Sequence, residues 1–310
     1  MKTNKIIFAI LLTTSLLGCG GGGGNTTDNS TVIDTPTVNP TLRSIDRITT
    51  GFTFPTIPNT NGYVVVKGNQ LYVSDNSSIK NLNFSGQVLG TVSVNDPRGM
   101  AVSGSDLYYA ANPTSSNANI YLYPNQTSSQ VTNIAYNVGS LSIFGNDLYA
   151  VDYSGSGQVS KFTNKIGNAS AVLSGPSYIT SDSTYIYVTK VSGGVGSIDQ
   201  FGNTQSLNWQ GITNPKGIAI AGSYAFIVSQ ADSNGNGAVI FRVKLTDGTV
   251  DTYVDGQTKG VWNSSIDKGF CGPTGIAANT QDGYLYVVNG YCTGVSAATG
   301  NRNSLIRIKI

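Results

Sequence analysis

The stretch Pro97-Arg98-Gly99-Met100-Ala101-Val102-Ser103-Gly104-Ser105-Asp106-Leu107-Tyr108-Tyr109 decides the fold of this 310-residue chain. A Pro-x-Gly opening leads into a short apolar run, a Gly/Ser/Asp turn follows, and a second apolar run carries an aromatic at its centre. Turn residues bounding short, β-branched and aromatic runs signal strands. The same unit returns as Pro215-Lys216-Gly217-Ile218-Ala219-Ile220 before Ala225-Phe226-Ile227, and as Pro273-Thr274-Gly275-Ile276-Ala277-Ala278 before Leu285-Tyr286-Val287. The second run also returns as Leu71-Tyr72-Val73, Leu148-Tyr149-Ala150 and Ile186-Tyr187-Val188.

The six central aromatics are spaced 36, 41, 38, 39 and 60 residues apart. About forty residues is the length of one four-stranded propeller blade. A third strand follows each pair, as in Ile120-Tyr121-Leu122 or Val239-Ile240-Phe241, and no 3.6-residue periodicity occurs beyond the amino-terminal segment. The expected fold is therefore all-β, a six-bladed β-propeller of four-stranded blades. The last repeat stops at its third strand, Leu305-Ile306-Arg307-Ile308-Lys309-Ile310, while strand-like residues 42–50 precede the first repeat. An incomplete blade leaves an open edge, so residues 42–50 are expected to supply the missing fourth strand, making 42–310 one closed domain.

The Pro-x-Gly units and the L-Y-V-type strands after them resemble NHL repeats and the related YVTN-type propeller repeats, over roughly residues 60 to 310. The resemblance implies a propeller. That superfamily includes scaffolds, RNA binders, lactonases and lyases, so it implies no single activity.

Lys2 and Lys5 precede an apolar core from Ile6 to Leu17, too short for the roughly 20 residues of a spanning helix, as in an export signal over residues 1–18. Leu16-Leu17-Gly18-Cys19 resembles the lipobox of bacterial lipoproteins, which implies acylation of Cys19. Residues 19–41, starting with Gly20 to Gly24 and continuing rich in Thr, Asn, Asp and Pro, read as a flexible tether. The expectation is an exported protein whose membrane partner is reached through a lipid anchor in the bacterial cell envelope. Gly20 after the acylated Cys suits outer-membrane sorting in a Gram-negative host.

There is no His and no Glu in the chain; all 16 acids are Asp. Imidazole is thereby removed from every scheme of general-base catalysis or metal ligation. Beyond the signal the chain carries 16 basic and 16 acidic residues with no Lys/Arg run, which argues against a nucleic-acid partner. Cys271 and Cys292 remain after Cys19 is assigned, and in an exported protein such a pair reads as a disulfide.

In propellers of the resembled kind, ligands sit on the face bearing the loops between second and third strands and between blades. By repeat, the residues closing the second strands are Asp75, Ala111, Asp152, Lys190, Ser229 and Asn289, and those after the turn proline are Arg98, Ser177, Lys216 and Thr274. Asp75, Arg98, Asp152, Lys190, Lys216 and Asn289 are thus candidate ligand-binding residues of an axial mouth for a small anion or an acidic protein partner. Trp262 is another candidate, in an insertion between Asp251 and Phe270 where it is either pinned on a blade or offered to a partner. Trp209 alternates like a packed strand residue.

Asp232-Ser233-Asn234-Gly235-Asn236-Gly237 matches the opening of an EF-hand loop, but Val243 stands where the bidentate Glu belongs. No cofactor is expected; Ca²⁺ at this loop is the one cation the pattern leaves open. No catalytic or metal-ligating residue is assigned. The primary reading is a non-enzymatic binding or assembly module. The alternative is a lactonase-like hydrolase with an Asp/Asn-only metal site, since the Glu and His ligands of the resembled hydrolases have no counterpart here.

Overall fold

The computed structural model describes residues 43–49, 52, 62–111, 118–124, 130–134, 138–152, 157–163, 170–190, 193–199, 203–230, 238–255, 260–262, 272–290 and 304–310, with the side chains of 49, 130–134, 170–174 and 260–262 excepted. Cys19 and its flanking signal and tether, the Asp232–Gly237 loop, and the Cys271 and Cys292 pair lie outside the described residues.

The unit Pro40–Ile310 is a six-bladed β-propeller. Blades 1 to 5 are antiparallel four-stranded sheets spanning 64–93, 97–134, 138–174, 176–207 and 215–254. Blade 6 runs Pro273–Asn279, Tyr284–Asn289, Ser304–Lys309 and then Arg43–Thr49, so the amino-terminal strand completes the carboxy-terminal blade as the sequence predicts. The innermost strands are Val64–Lys67, Pro97–Ser103, Val138–Phe144, Pro176–Ser181, Pro215–Ala221 and Pro273–Asn279. Each packs against its neighbours around the ring, with blade 6 returning to blade 1.

The two sequence signatures have separate physical roles. In each second strand both faces of the sheet are covered by adjoining blades, so the run is continuously apolar rather than alternating. Leu71, Leu107, Leu148, Ile186, Ala225 and Leu285 are all fully buried; burying one such Leu stabilises by about 1.5–3 kcal/mol. The Pro-x-Gly glycine answers to crowding between blades. A Cβ on Gly275 of blade 6 would sit 2.6 Å from the Gly62 carbonyl oxygen of blade 1, and Gly99 and Gly217 press as closely on the backbones of blades 3 and 6.

Closure is held by more than backbone pairing. Ile45 is buried opposite Ile308, and Asp46 opposite Arg307 accepts its Nε–H at 3.1 Å. The Arg43 guanidinium lies 3.8 Å from the centre of the Tyr253 ring in blade 5. A fifth strand, Gly260–Trp262, pairs in parallel with the outer edge of Arg43–Thr49, matching Arg43 to Gly260 and Ile45 to Trp262. The inter-blade insertion thus covers part of the edge that the closing strand would otherwise leave unpaired.

Candidate functional site

Each inner strand starts where the second strand of its own blade ends: Pro97 pairs with Ala111, Val138 with Asp152, Pro176 with Lys190, Pro215 with Ser229 and Pro273 with Asn289. Both rings of sequence-selected residues therefore lie at one end of the axis. At that end Tyr63 of blade 1 and Tyr178 of blade 4, which face each other across a six-membered ring, stack with centroids 4.9 Å apart. The Tyr178 hydroxyl donates to the Gly62 carbonyl at 3.3 Å, and Thr274 Oγ1 donates to the same oxygen at 3.2 Å. Burial pushes the Tyr178 phenol well above its ordinary range; Tyr63 adds to the rise and the Arg98 guanidinium offsets part of it.

Beneath the two rings lies an axial cavity of about 310 Å³, walled by all six inner strands. Near the tyrosines its lining is buried, as at Met100, Leu141, Ile179 and Ile218, whereas Val66, Val102, Ile143, Ser181, Ile220 and Ala278 at the opposite ends of the strands are partly exposed. The cavity is thus closed at the tyrosine end and opens at the other.

The sequence-selected residues divide in what they do. Asp75 is spent on its own turn, accepting from Ser78 Oγ at 2.7 Å and pairing with Lys80 at 3.1 Å. Asn289 is fully buried and accepts the Gly272 amide at 3.4 Å. Asp152 is buried at the end of its strand. Lys190 reaches outward along its blade to Ser206 Oγ at 3.0 Å. Arg98 holds Asp96 through Nη2 at 2.9 Å, while its buried Nε has no acceptor among the described residues. Ser177 is fully buried and its Oγ also lacks a described partner. Lys216 is 7% exposed, and its amine has no ion-pair or hydrogen-bond partner among the described residues. Burial alone drives its pKa down. Trp262 is placed by its backbone in the fifth strand of blade 6, its side chain being outside the described set. Trp209 is packed as expected, buried and stacked on Tyr187, but it lies two residues past the strand Thr204–Leu207 rather than within it.

Among the described residues no three Asp or Cys side chains gather closely enough to hold a metal ion. The sequence reading did not single out Tyr63 and Tyr178. Their signal was positional: where blades 2, 5 and 6 carry Gly99, Gly217 and Gly275, two opposite blades carry tyrosine.

No protein-family model matches the chain, and no curated protein matches it in sequence. Among solved structures it is similar to a gluconolactonase from Xanthomonas campestris, at 10% identity and TM-score 0.55 over 86% of this chain and 94% of that one. It is also similar to the PQQ-bound aldose sugar dehydrogenase from Streptomyces coelicolor, at 13% identity and TM-score 0.53 over 86% and 98% of the two chains. A chain of the nidogen/laminin complex aligns at 12% identity and TM-score 0.51 over 71% and 84%. At such identities the likeness speaks for architecture alone, and the architecture is the β-propeller.

Proposed function

We propose that this protein is a lipid-anchored propeller of the bacterial cell envelope, held through Cys19 at the outer membrane, that binds a protein or small anionic ligand without transforming it. The observation that carries the reading is Lys216: a largely buried amine with no carboxylate beside it among the described residues. An ammonium so placed has lost most of its water and gained no counter-charge, a cost that an incoming carboxylate or phosphate relieves. Arg98 Nε and Ser177 Oγ, unpartnered at the same step of their own blades, supply further donors at that end. Asp75 and Asn289 are engaged in holding their own loops, which favours binding over catalysis.

The test is a thermal-shift titration of the full chain with inorganic phosphate and with a poly-Asp peptide. A ligand that binds the folded state at roughly 100 times its Kd stabilises by about 2.7 kcal/mol. Stabilisation is expected for the native chain and a loss of at least about tenfold in affinity for Lys216→Met. Failure of both anions to stabilise the native chain would refute anion binding. The anchor is tested separately: Cys19→Ser is expected to move the protein from membranes into the soluble fraction, and unchanged membrane retention would refute lipidation.

A further inference from the structure

We infer that the axial cavity is a second ligand site, distinct from the Lys216 end, which admits a small uncharged ring compound bearing a hydroxyl or N–H donor. A cavity of about 150 Å³ accommodates one benzene; this one, at about 310 Å³, has room for a fused bicyclic molecule. Its closed end is lined by the stacked pair of Tyr63 and Tyr178. Its entrance is at the far ends of the inner strands, where the lining is partly exposed.

The wall chemistry selects the ligand. No Lys, Arg or Asp lines the cavity. Blades 1, 2, 5 and 6 contribute Val, Met, Ala and Ile together with Tyr63, whereas the side-chain hydroxyls of Ser and Thr lie on blades 3 and 4 at Ser140, Ser142, Thr180 and Ser181. Two of these are oriented. Ser142 Oγ donates to Ser181 Oγ at 3.0 Å, and Ser181 Oγ donates in turn to the Ile143 carbonyl at 2.7 Å. Each hydroxyl has one proton, so both are committed, and the two serines offer lone pairs only. At the Ser142–Ser181 pair the cavity therefore presents acceptors only. A hydrogen-bond donor is satisfied there, an anion meets acceptors and no cation, and a pure hydrocarbon leaves the serine lone pairs unused.

Three naphthalenes of similar size read this out by calorimetry on the full chain: 2-naphthol, naphthalene and 2-naphthoate. 2-Naphthol is expected to bind at least about tenfold more tightly than either of the others, and excess inorganic phosphate is expected not to displace it, which separates this site from the Lys216 end. The double variant Ser142→Ala/Ser181→Ala is expected to erase the preference for 2-naphthol over naphthalene while leaving naphthalene binding in place. Ala278→Phe, at the partly exposed entrance, is expected to weaken both. Absence of 2-naphthol binding, a carboxylate bound as tightly, displacement by phosphate, or indifference of 2-naphthol affinity to both variants would each overturn the inference.

Discussion

Tyr63 and Tyr178 meet across the propeller axis from opposite blades, their rings 4.9 Å apart and inclined by 25°. They close one end of the channel, and the Tyr178 hydroxyl ties blade 4 to the Gly62 carbonyl at the entry to blade 1. Tyr178→Phe removes that hydrogen bond and keeps the ring, so a loss of about 1 kcal/mol is expected. Tyr178→Ala empties the closed end of the cavity, and large-to-small aromatic truncation costs about 3–5 kcal/mol. Urea denaturation midpoints of the two variants check the ordering; equal midpoints would show that the stacked pair is dispensable.

The glycines provide a matched pair. A methyl group on Gly275 meets backbone of blade 1 at 2.6 Å, where nothing can rotate away, so Gly275→Ala is expected to cost about 1–3 kcal/mol as overpacking. Gly90, in the outer strand Val88–Ser93, has nothing within 4 Å of a built Cβ. Gly90→Ala is expected to be neutral or to stabilise by up to about 1 kcal/mol through the unfolded chain. Calorimetric melting of the two variants is the measurement, and a stabilised Gly275→Ala would contradict the crowding account.

Ring closure predicts a sharp dependence on truncation. Deleting residues 20–38 leaves Arg43–Thr49 intact and is expected to leave the melting temperature unchanged. Deletion through residue 50 removes Ile45 from the blade 5–6 core and the Asp46 partner of Arg307, exposing the Ser304–Lys309 edge. Loss of cooperative unfolding or concentration-dependent aggregation by light scattering is the expected result. Comparable stability of both truncations would rule out closure by this strand.

Lys216 predicts a particular pH dependence. Burial lowers its pKa in the folded state below the ordinary 10.5. Between the folded and unfolded values the unfolded chain binds more protons, so stability attributable to this group rises with pH through that interval. At pH below 10.5 this burial is a liability. Lys216→Met is therefore expected to unfold at higher denaturant concentration than the native chain, with the difference narrowing as pH approaches 10.5. A constant difference across that range would show that the amine is well solvated or paired.

Much of the architecture was readable because its determinants are local and repeated. The Leu-Tyr-Val triplets mark second strands whose neighbours cover both faces, and Pro-x-Gly marks the crowded entry of an inner strand. The closing strand was readable from a deficit, a last repeat one strand short. What escaped the sequence is long-range. Gly260-Val261-Trp262 has no local pattern that announces parallel pairing with Arg43-Ser44-Ile45. Asp75 and Lys190 occupy equivalent repeat positions, yet one turns to Lys80 and the other to Ser206, because the nearest complementary group on each blade differs. The tyrosine pair needs two exceptions to the glycine rule in blades that happen to be diametrically opposed.

The strand Arg43–Thr49 is stitched along both edges, antiparallel to Ser304–Lys309 and parallel to Gly260–Trp262. Tension applied along the strand from Arg43 runs perpendicular to its hydrogen bonds. Bonds arranged in this way share a force and yield together in shear, whereas a strand peeled sideways surrenders them one at a time. In single-molecule pulling from the amino-terminal side, the first rupture is expected to fall to lower force when deletion of residues 260–262 removes the outer seam. The short insertion strand then acts as a mechanical fastener on the strand that closes the ring.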